Sequence, residues 1–358
     1  MQPTAPYSAR SRGFSLVELM VGMTIGMLVV LAISMSLVAF EAQKRTTTDG
    51  STAQENGLIA LVQLEQQIRS AGAGFSNPAA FDCANLYSYY DDGSSVAVPA
   101  PAFAGGMAPV VISDGGAGPD TLTIRRGANF LGSIPVAITD AMPQPSAELN
   151  VSSTQGFADG DKILVMQGGN CTVMEVTQVQ AAALKIQHNP AASGPSWNPP
   201  GSCYTATEPC ETWPSYSTGA KVLNLGDLLV KTYSVNADHN LQMVDSSTSL
   251  AASQTFILGK DIVNVQAQYG VSSAAGTQPV SSWVDATGSW SALDSDEIKR
   301  IKAIRLTVVA RSSRKENTNV TTAAPGGVDV SYLPDWQRYR YRVYTTIIPL
   351  RNIIWANV

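Results

Sequence analysis

Glu18 is the only charged residue in an apolar run that extends from Phe14 to Phe40. A carboxylate inside a membrane segment costs about 2.5 to 3.5 kcal/mol on insertion scales, so it normally has a partner. Gly13 lies immediately before this run, and cleavage after Gly13 would create an α-amine on Phe14. Pairing of Glu18 with such an amine would offset the desolvation cost. The alternative is a plain membrane anchor in which Glu18 reaches the cytoplasmic interface.

The apolar run itself predicts a membrane helix, because about 20 predominantly apolar residues suffice to span a bilayer. Basic residues lie on both sides of it, Arg10 and Arg12 before the run and Lys44 and Arg45 behind it. A secretory signal has a shorter apolar region that is followed by its cleavage site. Here the small residue precedes the run, so the helix would be retained after cleavage.

A pair of glycines, Gly22 and Gly26, has the small-xxx-small spacing that permits close approach of two helices. A flexible point in the helix is the other interpretation of this pair. No proline occurs from Phe14 to Phe75, so any bend in the helix must come from glycine.

The residues around the junction, Gly13-Phe14-Ser15-Leu16-Val17-Glu18-Leu19-Met20, resemble the prepilin signature of type IV pilins and type II secretion pseudopilins. The resemblance implies that a prepilin peptidase cleaves on the cytoplasmic side between Gly13 and Phe14, and that Phe14 is then N-methylated. Glu18 becomes the fifth residue of the mature chain, as the family motif requires. In a helical stack of subunits, the Phe14 amine of one subunit can then pair with Glu18 of its neighbour, which sets the register between subunits.

The hydrophobic pattern predicts four segments along the chain. They are a leader at 1–13, a transmembrane assembly helix at 14–40, an amphipathic continuation of that helix at 41–72, and a β-rich globular head at 73–358 with a long, exposed, loop-rich insertion near 189–217. The expected fold class is α+β and type IV pilin-like, with a long N-terminal helix packed on a large, mainly antiparallel sheet.

The helix continuation shows an apolar pattern at helical spacing, formed by Leu58, Leu61, Leu64, Ile68 and Ala71. We expect the folded domain to cover the stripe of Leu61, Leu64 and Ile68. Whether the helix is continuous through Gly50 stays open at this point. Period-two patterns then predict strands at Val110–Ile112, Thr121–Arg125, Val136–Thr139, Lys162–Met166, Val173–Val179, Leu228–Val235, Leu241–Val244, Ile262–Tyr269, Ile301–Val309 and Tyr339–Ile348.

The charge balance is acidic, with a net charge of −5. Loss of the leader would leave 21 basic against 28 acidic side chains, so bulk attraction to nucleic acid is not expected. The four cysteines allow two disulfides in three connectivities outside the cytoplasm. We favour Cys203 with Cys210 and Cys83 with Cys171, the alternative being that some remain free buried thiols.

Catalytic motifs are missing: the sequence has no Gly-x-Ser-x-Gly elbow, phosphate-binding loop or His-Glu-x-x-His. Its two histidines, His188 and His239, lie in turn-like contexts and are expected to be exposed loop residues. We therefore predict no enzymatic activity, no cofactor and no metal site. The glycine-rich loop from Asp114 to Asp120 offers oxygen ligands for calcium as an alternative to an ordinary turn.

Basic and aromatic residues alternate from Arg338 to Arg342, and on one strand Arg338, Arg340 and Arg342 would share a face. Such a face could contact DNA phosphates and bases, although any half-exposed strand shows the same alternation. A second basic cluster has the same ambiguity; it consists of Lys299, Arg300, Lys302, Arg305, Arg311 and Arg314.

Scattered segments beyond the leader resemble the PilW family of large minor pilins. They are Gln54-Glu55-Asn56, 68–72, 120–124, 265–270, 304–312 and 344–352. The resemblance implies a minor pilin that primes assembly of a type IV pilus and lies near the fibre tip. Its implied location is the inner membrane, with the head in the periplasm, and then the fibre at the cell surface.

The implied partners are the prepilin peptidase, other minor pilins and the major pilin, and the inner-membrane assembly platform. A tip adhesin is a further candidate, whereas nucleic acid is not expected. Three alternatives remain open: a large minor pseudopilin of a type II secretion system, a tip module that binds DNA or a surface, and a membrane-anchored periplasmic enzyme, which the missing catalytic groups disfavour.

Overall fold

The computed structural model describes residues 13, 15–75, 77–90, 98–99, 106–128, 134–142, 148–189, 197–198, 214–246 and 254–356. The chain divides after Ser51 into two compact units, and we call the second one, Thr52–Val358, the head unit. Helix α1 extends over Leu16–Ser70 and passes through Gly50 without interruption. Gly72 and Gly74 follow it with φ of +72° and +83°, the left-handed conformation in which helices commonly end.

The described part of the head unit contains two further helices and a series of strands. The helices are α2 (Ser295–Arg300) and α3 (Arg351–Ala356). The strands are β1 (Asn85–Tyr87), β2 (Tyr89–Tyr90), β3 (Val98–Pro99), β4 (Val110–Ser113), β5 (Thr121–Gly127), β6 (Val136–Asp140), β7 (Leu149–Val151), β8 (Lys162–Gln167), β9 (Asn170–Glu175), β10 (Gln178–Gln180), β11 (Lys185–Gln187), β12 (Lys221–Gly226), β13 (Leu228–Val235), β14 (Leu241–Asp245), β15 (Gln254–Gly259), β16 (Ile262–Val271), β17 (Ser282–Val284), β18 (Ile301–Arg311) and β19 (Tyr341–Pro349).

Three larger sheets form the head unit. Their strand orders are β1-β9-β8-β12-β6-β7-β11-β10, β15-β14-β13-β5-β4 and β17-β16-β18-β19, and β2 pairs with β3 in a small ribbon. Among the described strands, β1 and β9 pair in parallel and the other neighbours are antiparallel. The head is therefore mainly antiparallel, as the sequence predicts.

The last turns of α1 pack on these sheets through one face. Leu64 and Ile68 are fully buried and Leu61 nearly so, which gives the stripe predicted from the helical spacing. They belong to a core that includes Leu122 of β5 and Ile304 of β18. The eight-stranded sheet has a second, separate core, built from residues such as Ile163, Met174 and Val222.

Several sequence predictions need correction. The segment predicted as one strand over Val173–Val179 is divided between β9 and β10, and the last strand begins at Tyr341 rather than Tyr339. The elements that the sequence analysis did not predict are strands β1, β2, β3, β7, β11, β12, β15 and β17 and helices α2 and α3.

Among the described residues of the insertion near 189–217, which was expected to be exposed, Asn189, Ser215 and Ser217 are exposed, whereas three are buried: Trp197, Asn198 and Tyr216. The Asn198 amide explains part of this burial, because its Nδ2 donates to the carbonyl oxygens of Glu175 (2.7 Å) and Asn189 (3.2 Å).

Candidate assembly segment and head surfaces

In the N-terminal segment, the first residue that the structure describes is Gly13, which is exposed and lies outside any helix. Phe14 lies outside the described residues. Helix α1 begins at Leu16, and the Leu19 N–H donates to the Ser15 carbonyl at 3.0 Å. Glu18 is therefore in the first turn, where the positive end of the helix dipole favours a carboxylate.

The first part of α1 is long and apolar enough to cross a membrane. This span covers Leu16–Val38, has a mean hydropathy of 2.4, and is exposed along its whole length. Gly22 and Gly26 lie one turn apart on this span, and no atom approaches within 4 Å of the position that a Cβ would occupy on either. The face of the helix that carries Gly22 and Gly26 is therefore free for close approach of a second helix.

A second apolar face was missed by reading the sequence. Leu58, Ile59 and Val62 are 48%, 43% and 44% exposed on the part of α1 that belongs to the head unit. The helical spacing groups Leu58 with the buried stripe, but the Leu58 side chain lies on a different, exposed face of α1. The sequence does indicate this second face, because residues 58–62 are all apolar. A helix that is apolar on every side is expected to make contacts on more than one side.

The C-terminal strand holds α1 from the buried side. The Tyr344 hydroxyl donates to the Gln54 carbonyl at 3.2 Å, and a Cβ on Gly57 would come within 2.6 Å of the Tyr344 ring. At the end of the helix, Asn352 Nδ2 donates to the Ala71 carbonyl at 2.8 Å. These contacts join the two ends of the head unit's sequence.

One of the two favoured cysteine pairs is bonded. Cys83 and Cys171 form a disulfide with a Cα–Cα distance of 5.4 Å, and it ties the segment after α1 to β9. Cys203 and Cys210 lie outside the described residues.

The three arginines proposed for DNA contact do not share a strand face. Arg338 lies in a 3₁₀ turn, where its Nε donates to the Glu316 carbonyl at 2.8 Å. Arg340 precedes β19 and pairs with the Glu316 carboxylate at 3.0 Å, so Arg342 alone is on the strand. The expected single basic face is therefore wrong, because a neighbouring loop engages two of its three members.

Most side chains of the second basic cluster contact other residues of the head unit. Lys299 pairs with Asp82, and the Arg305 and Arg311 guanidinium groups lie 4.2 and 4.4 Å from the ring centroids of Trp283 and Tyr339. Lys302 is buried, its Nζ donates to the Lys299 carbonyl at 2.6 Å, and burial lowers its pKa.

In the loop from Asp114 to Asp120, which could offer calcium ligands, both aspartate carboxylates accept hydrogen bonds from backbone N–H groups. Asp120 is 3% exposed and accepts hydrogen bonds from the N–H groups of Gly115 (2.9 Å) and Ala267 (2.7 Å). Burial raises the pKa of Asp120 to about 6, against the lowering effect of these two bonds. Asp114 accepts from the N–H of Gly116 at the loop tip. In the described residues, no group of three or more His, Cys, Asp or Glu is arranged to hold a metal ion.

Both histidines were expected to be exposed, and neither is fully exposed. His239 lies in the turn between β13 and β14 with φ of +59°, and it is half-buried. His188 was also expected to be exposed but is completely buried just after β11. Next to it, Asn198 Nδ2 donates to the Asn189 carbonyl at 3.2 Å, a contact that the local sequence does not reveal.

Comparison with known families gives two matches at separate parts of the chain. Residues 8–38 match the prokaryotic N-terminal methylation motif. Residues 229–352 match the family described as Type IV Pilus-assembly protein W, which spans β13 to β19 and ends at Asn352. The eight-stranded sheet lies between the two matched regions.

No curated protein and no solved structure matched the chain. The two family matches occur in the order expected for a pilin, with the methylation motif on the apolar helix and the second family on the sheets that pack on the end of that helix. The two matches support a type IV pilus-related pilin, whose N-terminal segment is similar to the methylation motif and whose residues 229–352 are similar to the pilus-assembly family.

Proposed function

We propose that this chain is a minor pilin that a prepilin peptidase cleaves between Gly13 and Phe14. Removal of residues 1–13 exposes the Phe14 amine, which is N-methylated and pairs with Glu18 of a neighbouring pilin. The pair sets the register of the subunit in the fibre, since both charges lie in an apolar environment and each needs the other.

The observation that carries this proposal is the exposure of apolar residues along α1. The whole span Leu16–Val38 is exposed, and the same helix exposes Ile59 and Val62 much further along. A lipid bilayer accounts for the first region, since its core takes up about 20 residues of helix. The second lies beyond that length and fits the helices of neighbouring pilins in a fibre.

Before assembly, the chain resides in the inner membrane with residues 73–358 in the periplasm. A head of this size would crowd a fibre if it recurred at every subunit but is accommodated at an end. We therefore place it near the tip, where it joins other minor pilins and primes assembly of the major pilin on the inner-membrane platform. A structural role of this kind requires no catalytic group.

The alternative is a large minor pseudopilin of a type II secretion system, which would use the same leader and helix. The match to a pilus-assembly family favours the pilus. The two assignments differ in where the processed chain accumulates, either in surface fibres or in membranes alone.

The deciding measurement is the intact mass and N-terminal sequence of the chain from sheared fibres and from membranes of the native host. We expect a chain that begins at N-methylated Phe14 in both fractions, at low abundance in fibres. Glu18→Gln should be processed normally but lost from fibres, whereas Ser15→Ala serves as the matched control. A processed chain confined to membranes would favour the pseudopilin, and an unprocessed chain would refute both.

A further inference from the structure

Strand β15 is an edge strand of the five-stranded sheet, with β14 as its one neighbour among the described strands. The two residues that flank β14, Asn240 and Ser246, bond toward the β13 side: the Asn236 N–H donates to the Asn240 carbonyl (3.0 Å), and the Ser246 N–H donates to the Val230 carbonyl (2.9 Å). Backbone groups alternate in direction along a strand, so the odd-numbered residues of β14 face β15.

The register of the two strands then fixes which backbone groups of β15 have no partner strand in the described part of the chain. Met243 lies opposite Phe256 and Asp245 opposite Gln254, so Phe256 and Gln254 bond toward β14. The N–H and C=O groups of Thr255 and Ile257 point away from the sheet.

This open edge is unusually apolar. Phe256 is 44% exposed and Ile257 is 50% exposed, and Gln254 and Thr255 are exposed as well. No charged residue and no proline occurs from Gln254 to Gly259. Edge strands normally carry such residues because an unprotected edge pairs with another strand.

We propose that β15 pairs with β15 of a second copy of this chain. The strands would run antiparallel about a two-fold axis through Phe256, so that Thr255 of each copy exchanges both backbone hydrogen bonds with Ile257 of the other. Phe256 then faces Phe256 of the second copy in a pair without backbone bonds, where Cα atoms approach to about 4.5 Å. No like charges oppose each other, and aromatic and β-branched residues are favourable cross-strand partners.

The area buried between the two paired strands is small, so we expect the pairing to occur only where both copies are held close together. Some five residues of strand bury far less than the roughly 1,200 to 2,000 Å² of a stable interface. Confinement of both copies to one membrane by the span Leu16–Val38 raises their effective concentration and compensates for the small area. The inference goes beyond the proposed function, because it concerns the membrane-anchored chain before any fibre forms.

The test is oxidative crosslinking of the full chain in the membranes of cells that express it. Phe256→Cys should give a disulfide-linked dimer, since the expected Cα separation suits a disulfide. Gln242→Cys, on the inner neighbour β14, is the matched control and should give none. Adding Thr255→Lys and Ile257→Lys to Phe256→Cys should reduce the dimer about tenfold, because each lysine then faces a lysine of the other copy.

Both lysines replace exposed side chains, so the monomer should fold as before. Equal crosslinking of Phe256→Cys and Gln242→Cys would overturn the proposal. So would a dimer that persists with both lysines, which would point to the membrane helices instead. Crosslinking of Phe256→Cys only to another protein would also overturn it, because the occupant of the edge would then not be a second copy.

Discussion

The side-chain amide of Asn352 donates a hydrogen bond of 2.8 Å to the main-chain carbonyl of Ala71, across 281 residues of sequence. The carbonyl belongs to the turn that follows α1, where helix ends leave acceptors without intrahelical partners. Asn352 is thus the cap that attaches the last helix of the chain to the end of the first.

Replacement of this cap should destabilise the head unit. Asn352→Ala leaves the carbonyl of the buried Ala71 without that donor, which costs about 1 to 3 kcal/mol. The measurement is urea unfolding of the full chain in detergent, followed by tryptophan fluorescence. Arg351→Ala, at the exposed neighbouring position, is the control and should change the unfolding free energy little. Equal effects of the two variants would contradict the capping role.

Two glycines on α1 should respond differently to replacement by alanine. Gly50→Ala meets no atom within 4 Å and should gain about 0.5 to 1 kcal/mol from helix propensity. Gly57→Ala should show no such gain, because its Cβ would lie 2.6 Å from the Tyr344 ring and 3.1 Å from the Ala310 Cβ. Tyr344 would have to leave its bond to Gln54.

The same unfolding experiment compares the two variants directly. If Gly57→Ala stabilised the chain as much as Gly50→Ala, the close packing of α1 on β19 would be refuted.

The contrast between these glycines shows what the sequence can and cannot predict. The prepilin-like junction, the membrane span and the stripe of Leu61 to Ile68 are local patterns, and the structure has the helix and the buried stripe where they predict them. Gly57 looks like any helix-weakening glycine until Tyr344 is placed over it. The burial of His188 and the exposure of Leu58 likewise depend on partners that are distant in sequence, so no local pattern reports them.

Asp120 should make the stability of the head unit depend on pH. Burial raises its pKa from 3.8 to about 6, so between these values the folded chain holds a proton that the unfolded chain has lost. The stabilising contribution of protonated Asp120 is therefore complete below pH 3.8 and disappears as the pH rises through about 6. The loss is about 3 kcal/mol, at 1.36 kcal/mol per pKa unit.

Asp120→Asn removes this titration, so the difference in unfolding free energy between wild type and variant should fall by that amount from pH 4 to pH 7. The measurement is urea unfolding at a series of pH values. Asp114→Asn, in the same loop, removes one of the lesser charges that raise the pKa of Asp120, so this variant should keep a pH dependence close to that of wild type. A flat difference for Asp120→Asn would show that Asp120 titrates at its ordinary pKa.

The exposed apolar face of α1 should matter for the fibre and not for the fold. Val62→Glu places a charge on a side chain that is 44% exposed, so the head unit should keep its unfolding free energy within about 0.5 kcal/mol. In a fibre the same position would be buried between helices, and an unpaired charge there is strongly unfavourable. We therefore expect Val62→Glu to be processed and retained in membranes but depleted from sheared fibres.

Gln66→Glu, one turn further along on the exposed side of α1, introduces the same charge without replacing an apolar residue and is the matched control. Quantitative immunoblots of fibre and membrane fractions measure both variants against wild type. Depletion of Val62→Glu alone would show that neighbouring pilins cover this face. If both variants entered fibres as efficiently as wild type, the face formed by Leu58, Ile59 and Val62 would have no part in assembly, and its exposure would need another partner to explain it.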